Sequence, residues 1–376
     1  MDRICTIIAM NYLPQAMALL ESTRTVYPEI DFYVLIIDGT SRDIPYFPSA
    51  IILLPEDLLI QSEWLSQMRS YYDAMELATS LKPFLLDTLL IEGVETVTYL
   101  DPDILLFGEM LEGTKHARDF GIALTPHRLT PANIMKPEFL ELAFLKYGVF
   151  NLGYIAVGQQ SKEMLKWWGS RLRWYCTKFP NDPSFTDQKW INFVPALFTY
   201  KTVSSKGYNL ASWNLDERPL TVARGRIFAG ADPLVFIHFA QMSGVLAAGR
   251  KTDHWEHTLD SSKQSINSLH LISEISNDYS QRLVDFALTV KPVDKVRMDD
   301  YRVSYHTKKA LIRKHIGAAS LTHDTQQRNL ELFAHKRGQG LSLFLEKSSA
   351  LNGFRDGFGV DLAKFRSLVR RLTKKP

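Results

Sequence analysis

Short, wholly apolar runs alternate with stretches of helical spacing along most of the chain. Residues 5–10 read as a buried strand, broken by Asn11-Tyr12-Leu13-Pro14. Residues 15–26 then carry apolar positions at helical spacing, up to the stop at Tyr27-Pro28. A second buried strand, 32–37, ends at Asp38-Gly39, and 51–54 looks like a third. These runs are apolar throughout instead of alternating, as expected for a parallel sheet covered on both faces. Residues 63–90 are helical in pattern, interrupted at Lys82-Pro83. The strand 96–100 runs straight into Asp101-Pro102-Asp103. A short strand at 122–124 precedes a longer one at 150–157 with a polar opening. Helices follow at 162–175 and from 186. This order predicts an α/β domain with a mainly parallel sheet flanked by helices over roughly the first 240 residues.

Past Gly244 the texture changes. Polar stretches at 251–267 give way to helical patterns near 272–290 and 308–316. A boundary at 250 therefore divides residues 1–250, the α/β domain, from 251–376, a mostly helical C-terminal extension. The last segment, 361–375, places Leu362, Phe365, Leu368, Val369 and Leu372 on one helical face, among Lys364, Arg366, Arg370, Arg371, Lys374 and Lys375. Such a helix suits a peripheral membrane contact and equally an ordinary solvated helix. The extension is expected to serve acceptor binding, dimerisation or membrane-surface contact.

Composition narrows the class. With 376 residues and 45% hydrophobic content the chain can bury a large core, and 23% charged residues do not suggest disorder. A net charge of +3 without a basic stripe argues against a nucleic-acid partner. Cys5 and Cys176 stand alone, so neither a thiolate zinc site nor a disulfide framework is expected. The start of the chain does not read as a signal peptide, and no apolar stretch approaches the roughly 20 residues of a membrane span. The expectation is a cytoplasmic protein, at most peripheral to the inner face of the membrane.

Candidate chemistry centres on Asp101 and Asp103. They lie at the C-terminal end of a strand, the edge of an open α/β sheet where ligands bind. Pro102 turns the chain between them, which lets both carboxylates converge on one Mg²⁺ or Mn²⁺. Their alternative is a solvated acidic turn. His238 sits in an apolar run and is either a core histidine or a nitrogen ligand. Asn11 and Tyr12 offer an amide and a ring to a nucleobase, or a helix cap. Asp187 and Gln188 offer groups to sugar hydroxyls, or a charged helix start. Asn151 and Gly153 offer an amide and a gap at a sugar, or a β-bulge or turn. The tryptophans 167, 168 and 174 read as packing.

Taken in order, these pieces resemble the GT-A-fold glycosyltransferases, family 8 and its bacterial relatives in particular. The resemblance spans about residues 4–245. It runs from Asn11-Tyr12-Leu13-Pro14 through Leu81-Lys82-Pro83-Phe84-Leu85 and Tyr99-Leu100-Asp101-Pro102-Asp103. It continues with Phe150-Asn151-Leu152-Gly153 and Asp187-Gln188, and ends at Phe236-Ile237-His238-Phe239.

The resemblance implies a GT-A type, Rossmann-like sheet and a nucleotide-sugar donor, UDP-linked in the first instance. Asn11 and Tyr12 would contact the nucleoside, and Asp101, Asp103 and His238 would bind Mn²⁺ (or Mg²⁺) and diphosphate. Lys82 would lie near the diphosphate, with Gly153 beside the donor. Asn151, Asp187 and Gln188 would face the donor sugar. A retained anomeric configuration, a hexosyl transfer to a glycan, glycolipid or protein acceptor, and a place in bacterial surface glycan synthesis are further implications.

The chain departs from the family at two places. Ala9 stands where an acidic residue is common, which leaves the base unassigned. The family's lysine after the histidine has no clear counterpart, Arg250 and Lys251 being further on. Two other functions fit the sequence: a non-catalytic nucleotide-sugar or glycan binder on the same scaffold, and a haloacid dehalogenase-type phosphatase built on Asp101.

Overall fold

A computed structural model describes residues 1–39, 46–132, 137–178, 184–240 and 266–291. The strands are β1 Asp2–Ile8, β2 Asp31–Ile36, β3 Ile51–Leu53, β4 Thr96–Leu100, β5 Ile104–Leu106, β6 Ile122–Pro126 and β7 Phe150–Gly158. They continue with β8 Lys201–Thr202, β9 Leu220–Ala223, β10 Arg226–Ala229, β11 Asp232–Pro233 and β12 Phe236–His238. The helices are α1 Leu13–Val26, α2 Ser62–Tyr71, α3 Ala74–Ser80, α4 Lys82–Leu89, α5 Leu111–Phe120, α6 Pro137–Tyr147, α7 Lys162–Leu172, α8 Gln188–Ile191, α9 Val194–Leu197 and α10 Ile266–Thr289.

A seven-stranded sheet in the order β3-β2-β1-β4-β7-β6-β8 forms the frame. Its pairings are parallel except at β7, which runs antiparallel to β4 and β6. The expected α/β class with a mainly parallel sheet is what the chain forms.

Both faces are covered, which explains the unbroken apolar runs. Along β1, Cys5 and Ile7 pack with Leu77, Leu85, Trp168 and other residues of α3, α4 and α7. Ile4 and Ile8 face the other way, against Ala16, Leu19 and Leu20 of α1. Successive side chains alternate between the two layers, as strand geometry requires.

The helical stretch 63–90 is three helices instead of two. The extra break is at Asp73, whose carboxylate accepts from Glu76 N at 3.0 Å while Glu76 returns a bond to Asp73 N at 2.9 Å. That reciprocal cap ends one helix and starts the next. Pro83 sits in the first turn of α4, where a missing N–H costs nothing.

Strand order reverses between β1 and β4, because β2 and β3 lie on one side of β1 and β4 on the other. Asn11 and Asp101 lie just beyond the C-terminal ends of those two strands, beside the switch point. A second pairing matters as much: β5 runs antiparallel to β12, with His238 opposite Ile104.

Helix α10, the first described element after the expected boundary at 250, is packed onto the α/β domain. Ile272, Ile275, Tyr279 and Leu283 share a core with Leu210, Leu215, Leu220 and Phe239, and Tyr279 stacks on Phe239 at 4.1 Å. The residues around 250, the pattern at 308–316 and the basic segment 361–375 lie outside the described residues. No helix among the described residues is long and apolar enough to cross a membrane.

Candidate active site

Two pairings assemble the site. After Leu100 the ladder to β7 continues for one bond, Asp101 N to Gly153 O at 2.8 Å. The chain then turns at Pro102 and re-enters a sheet as β5, and the register of β5 with β12 brings His238 beside the turn. Phe239 N closes the arrangement by donating to Asp103 O at 2.8 Å. One ligand atom from each of Asp101, Asp103 and His238 lies within 4.8 Å of the others. His238 Nε2 is 3.2 Å from Asp103 Oδ1 and 3.8 Å from Asp101 Oδ2.

The donor set fits a divalent cation. The two carboxylates keep 26% and 15% of their side-chain surface open, whereas the imidazole is buried. His238 Nδ1 lies 3.1 Å from Asn151 Oδ1, which leaves Nε2 as the nitrogen that faces the carboxylates. A ligating histidine typically has its second nitrogen tied down in this way. Burial alone would lower the basicity of His238, but Asp103 and Asp101 outweigh it and hold the ring above its ordinary value.

Lys82 lies under the carboxylates. It is buried, and Nζ reaches Asp187 Oδ2 at 2.9 Å, Asp101 Oδ1 at 3.3 Å and Leu152 O at 2.8 Å. The ammonium also lies 4.5 Å from the Tyr99 ring centroid. Burial pulls against its charge, yet the Asp101 and Asp187 carboxylates hold it above its ordinary value. Leu152 O accepts a hydrogen bond from the ammonium, and the two carboxylates pair with it as ions. The side chain expected near a diphosphate is thus directed into the protein, where it holds Asp101 and Asp187 in place. The Tyr99 hydroxyl adds a 2.7 Å bond to Asp101 Oδ1; burial, and then Asp101, push that phenol well above its ordinary value, so it stays a donor. Asp101 Oδ1 is therefore held by Tyr99 and Lys82, and Oδ2 is turned toward the histidine.

Asn151 and Gly153 occupy the stretch of β7 where its register against β6 shifts, an irregularity in the ladder of the kind expected there. Asn151 is buried, and its Oδ1 also accepts from Gly153 N at 3.2 Å. The gap at Gly153 is filled from within the protein: a Cβ there would lie 2.4 Å from His238 Cε1. Glycine at this position makes room for the histidine.

Asp187 and Gln188 stand at the start of α8, as expected for a helix start. Asp187 is buried on Lys82, and its carbonyl accepts from Trp168 Nε1 at 3.1 Å. Thr186 before it has φ +46°, a left-handed conformation rare for a β-branched residue. Such backbone strain costs about 1–3 kcal/mol and gathers at functional sites. The Gln188 amide is spoken for at both ends: Oε1 accepts from Leu152 N at 3.1 Å and Nε2 donates to Tyr147 O at 2.9 Å. Trp168 is buried, in line with the packing role expected of the tryptophans.

Asn11 and Tyr12 form a short 3₁₀ turn after β1. The helix-cap alternative for Asn11 is not what forms; Tyr12 takes the N-cap position of α1, without a side-chain cap bond. The turn is pinned by Asp38 at the end of β2, which accepts from Met10 N at 3.0 Å. Both side chains remain partly open.

Sequence reasoning missed Tyr99, His127 and Asp38. Tyr99 was within reach, since it precedes Asp101 by two residues and so shares its strand face. Nothing in the sequence marks His127, whose Nε2 lies 3.4 Å from Asn151 Nδ2.

No protein-family model matches the chain. Two uncharacterized proteins of Bacillus subtilis are similar in sequence. YfnF is 24% identical over 243 residues, which are 63% of this chain and 80% of that protein. YfnD is 22% identical over 246 residues, 62% of this chain and 76% of that protein. Among solved structures the chain is similar to the galactosyltransferase LgtC in complex with donor and acceptor sugar analogues. Identity there is 16%, TM-score 0.41, and coverage 69% of this chain and 100% of that one. It is also similar to mouse xyloside xylosyltransferase 1, with 9% identity, TM-score 0.40, and coverage of 65% and 99%. These solved structures are glycosyltransferases, the class that the ordered motifs resemble, and they assign no role to any residue here.

Proposed function

We propose that this chain is a glycosyltransferase that moves a hexose from a nucleoside diphosphate sugar to an acceptor hydroxyl, assisted by Mn²⁺ or Mg²⁺. The observation that supports this most is the convergence of Asp101, Asp103 and His238 from two strand ends far apart in sequence, with an imidazole already oriented by Asn151. A solvated acidic turn would not need a buried histidine, a buried lysine and a tyrosine hydroxyl to orient it.

In this reading Asp101 Oδ2, Asp103 and His238 Nε2 hold the ion. When bound, it supplies Lewis-acid stabilisation of the charge on the leaving diphosphate. Lys82 and Tyr99 fix the Asp101 carboxylate, so no side-chain reorganisation is needed as charge develops. Asn11 and Tyr12, at the end of β1, face the nucleoside. Asp187 acts at the sugar end through its place beside Gln188 at the start of α8, its carboxylate being buried against Lys82. Gln188 and Asn151 hold the walls of the sugar subsite through their backbone and histidine bonds. Retention of configuration, a UDP-linked donor and a role in bacterial surface glycan synthesis belong to the same proposal and rest on the sequence resemblance; the cytoplasmic location rests on the composition and the apolar pattern of the chain.

The test is a panel of nucleotide-sugars scored for donor hydrolysis and transfer with Mn²⁺ or EDTA. One donor is expected to be turned over only with the metal. Donor binding without any turnover would favour the binding-protein alternative.

A further inference from the structure

We propose that His127 is a positioning residue for this metal centre: through Asn151 it fixes the tautomer and ring orientation of His238. The inference rests on the metal-site reading above, and the ordered motifs give His127 no role.

The chain of bonds can be read from both ends. His127 follows β6, and its backbone N–H and ring Nδ1 both approach Val149 O, at 2.9 and 3.1 Å. A carbonyl oxygen only accepts, so Nδ1 carries the proton. Burial holds this ring down to about 4, so it is neutral and Nε2 has a free lone pair. That lone pair faces Asn151 Nδ2 at 3.4 Å. From the other end, Gly153 N–H lies 3.2 Å from Asn151 Oδ1, and a backbone N–H only donates. The amide orientation is therefore the same from either side. Asn151 Oδ1 is then the acceptor for His238 Nδ1–H at 3.1 Å, and Nε2 is the nitrogen left for the ion.

The rings have little freedom to turn. His127 stacks on Phe144 at 4.7 Å, and Trp213 lies edge-on to both His127, at 5.4 Å, and His238, at 5.7 Å. Asn214 Nδ2 donates to His127 O at 2.9 Å. Without the His127 acceptor, Gly153 and His238 would be the Asn151 amide's remaining partners among the described residues.

Groups outside the ligand shell typically change metal affinity by about 10–100-fold. His127 acts at one remove, so about tenfold is expected. The test compares wild type, His127→Phe and His127→Gln. Phenylalanine keeps the stacked ring and removes both nitrogens; glutamine supplies an oxygen that can accept from Asn151. Free Mn²⁺ is followed by electron paramagnetic resonance, with no donor present. Histidine tautomers of the wild-type metal-free protein are read by long-range ¹H–¹⁵N NMR.

His127→Phe should bind Mn²⁺ about tenfold more weakly than wild type, with His127→Gln restoring most of the loss. Wild-type His127 should show protonated Nδ1 and bare Nε2. Equal Mn²⁺ affinity in wild type and His127→Phe would overturn the proposal, and so would an Nε2-protonated His127, which needs neither variant to fold. Failure of wild type itself to bind Mn²⁺ would instead contradict the metal-site reading.

Discussion

Asp103→Asn isolates the metal claim at the scale of single residues. Asn keeps the size of the side chain and removes the charge that a hard cation needs. Mn²⁺ affinity should fall by at least about a hundredfold, more than for a supporting residue. Lys82→Met tests the ion pairs beneath. It leaves Asp187 as a buried charge without its partner, which typically costs about 3–5 kcal/mol. Urea unfolding should show a loss of that size, and an unchanged midpoint would mean that Asp187 is not ionised there. His127 supplies a pH test. Its native value near 4 lies below the unfolded value of about 6.5, so between them the unfolded chain binds the extra proton. Stability is fully present above about pH 6.5 and is lost as pH falls toward 4. Unfolding at pH 7.5 and 4.5 should show about 2–3 kcal/mol more loss in wild type than in His127→Gln.

The strand ends and their pairings do the positioning at the scale of elements. Gly153→Ala would drive a Cβ to within 2.6 Å of His238 Nδ1, so the ring must move. The expected result is lost Mn²⁺ binding with about 1–3 kcal/mol of destabilisation; retained affinity would show that the ring has room. The same elements show what could be read from sequence. β1, β2 and β4 were visible because both faces of the sheet are covered and their side chains are apolar without alternation. The Asp101 turn was visible because polar groups abruptly follow such a run. β5 and β8 to β11 were not, being short, and α5 was not, because few of its residues are apolar. The link from Asp103 to His238 was chemically sensible but unprovable in sequence, since it depends on the register of β5 against β12. The inward use of Lys82 and the histidine in the gap at Gly153 were illegible for the same reason: both are facts of packing across strands.

Helix α10 ties the extension to the α/β domain at the scale of the whole molecule. A chain ending at residue 250 would uncover Leu215, Leu220 and Phe239, which now pack against Ile272 and Tyr279. Exposed apolar patches of this kind promote association. That truncated chain is expected to elute as aggregate, or to melt below the full chain; a monodisperse product of unchanged melting temperature would make 250 a true boundary. At one edge of the described fold the chain leaving β4 turns at Pro102 into β5, which pairs with β12. The central claim is that a divalent ion held by Asp101, Asp103 and His238 carries a nucleoside diphosphate to that edge. Calorimetric titration of UDP into wild type and Asp103→Asn, each with Mn²⁺ and with EDTA, tests it most directly. The account predicts binding in wild type with Mn²⁺ that is lost with EDTA and in the variant. UDP binding of equal strength under all four conditions would contradict it.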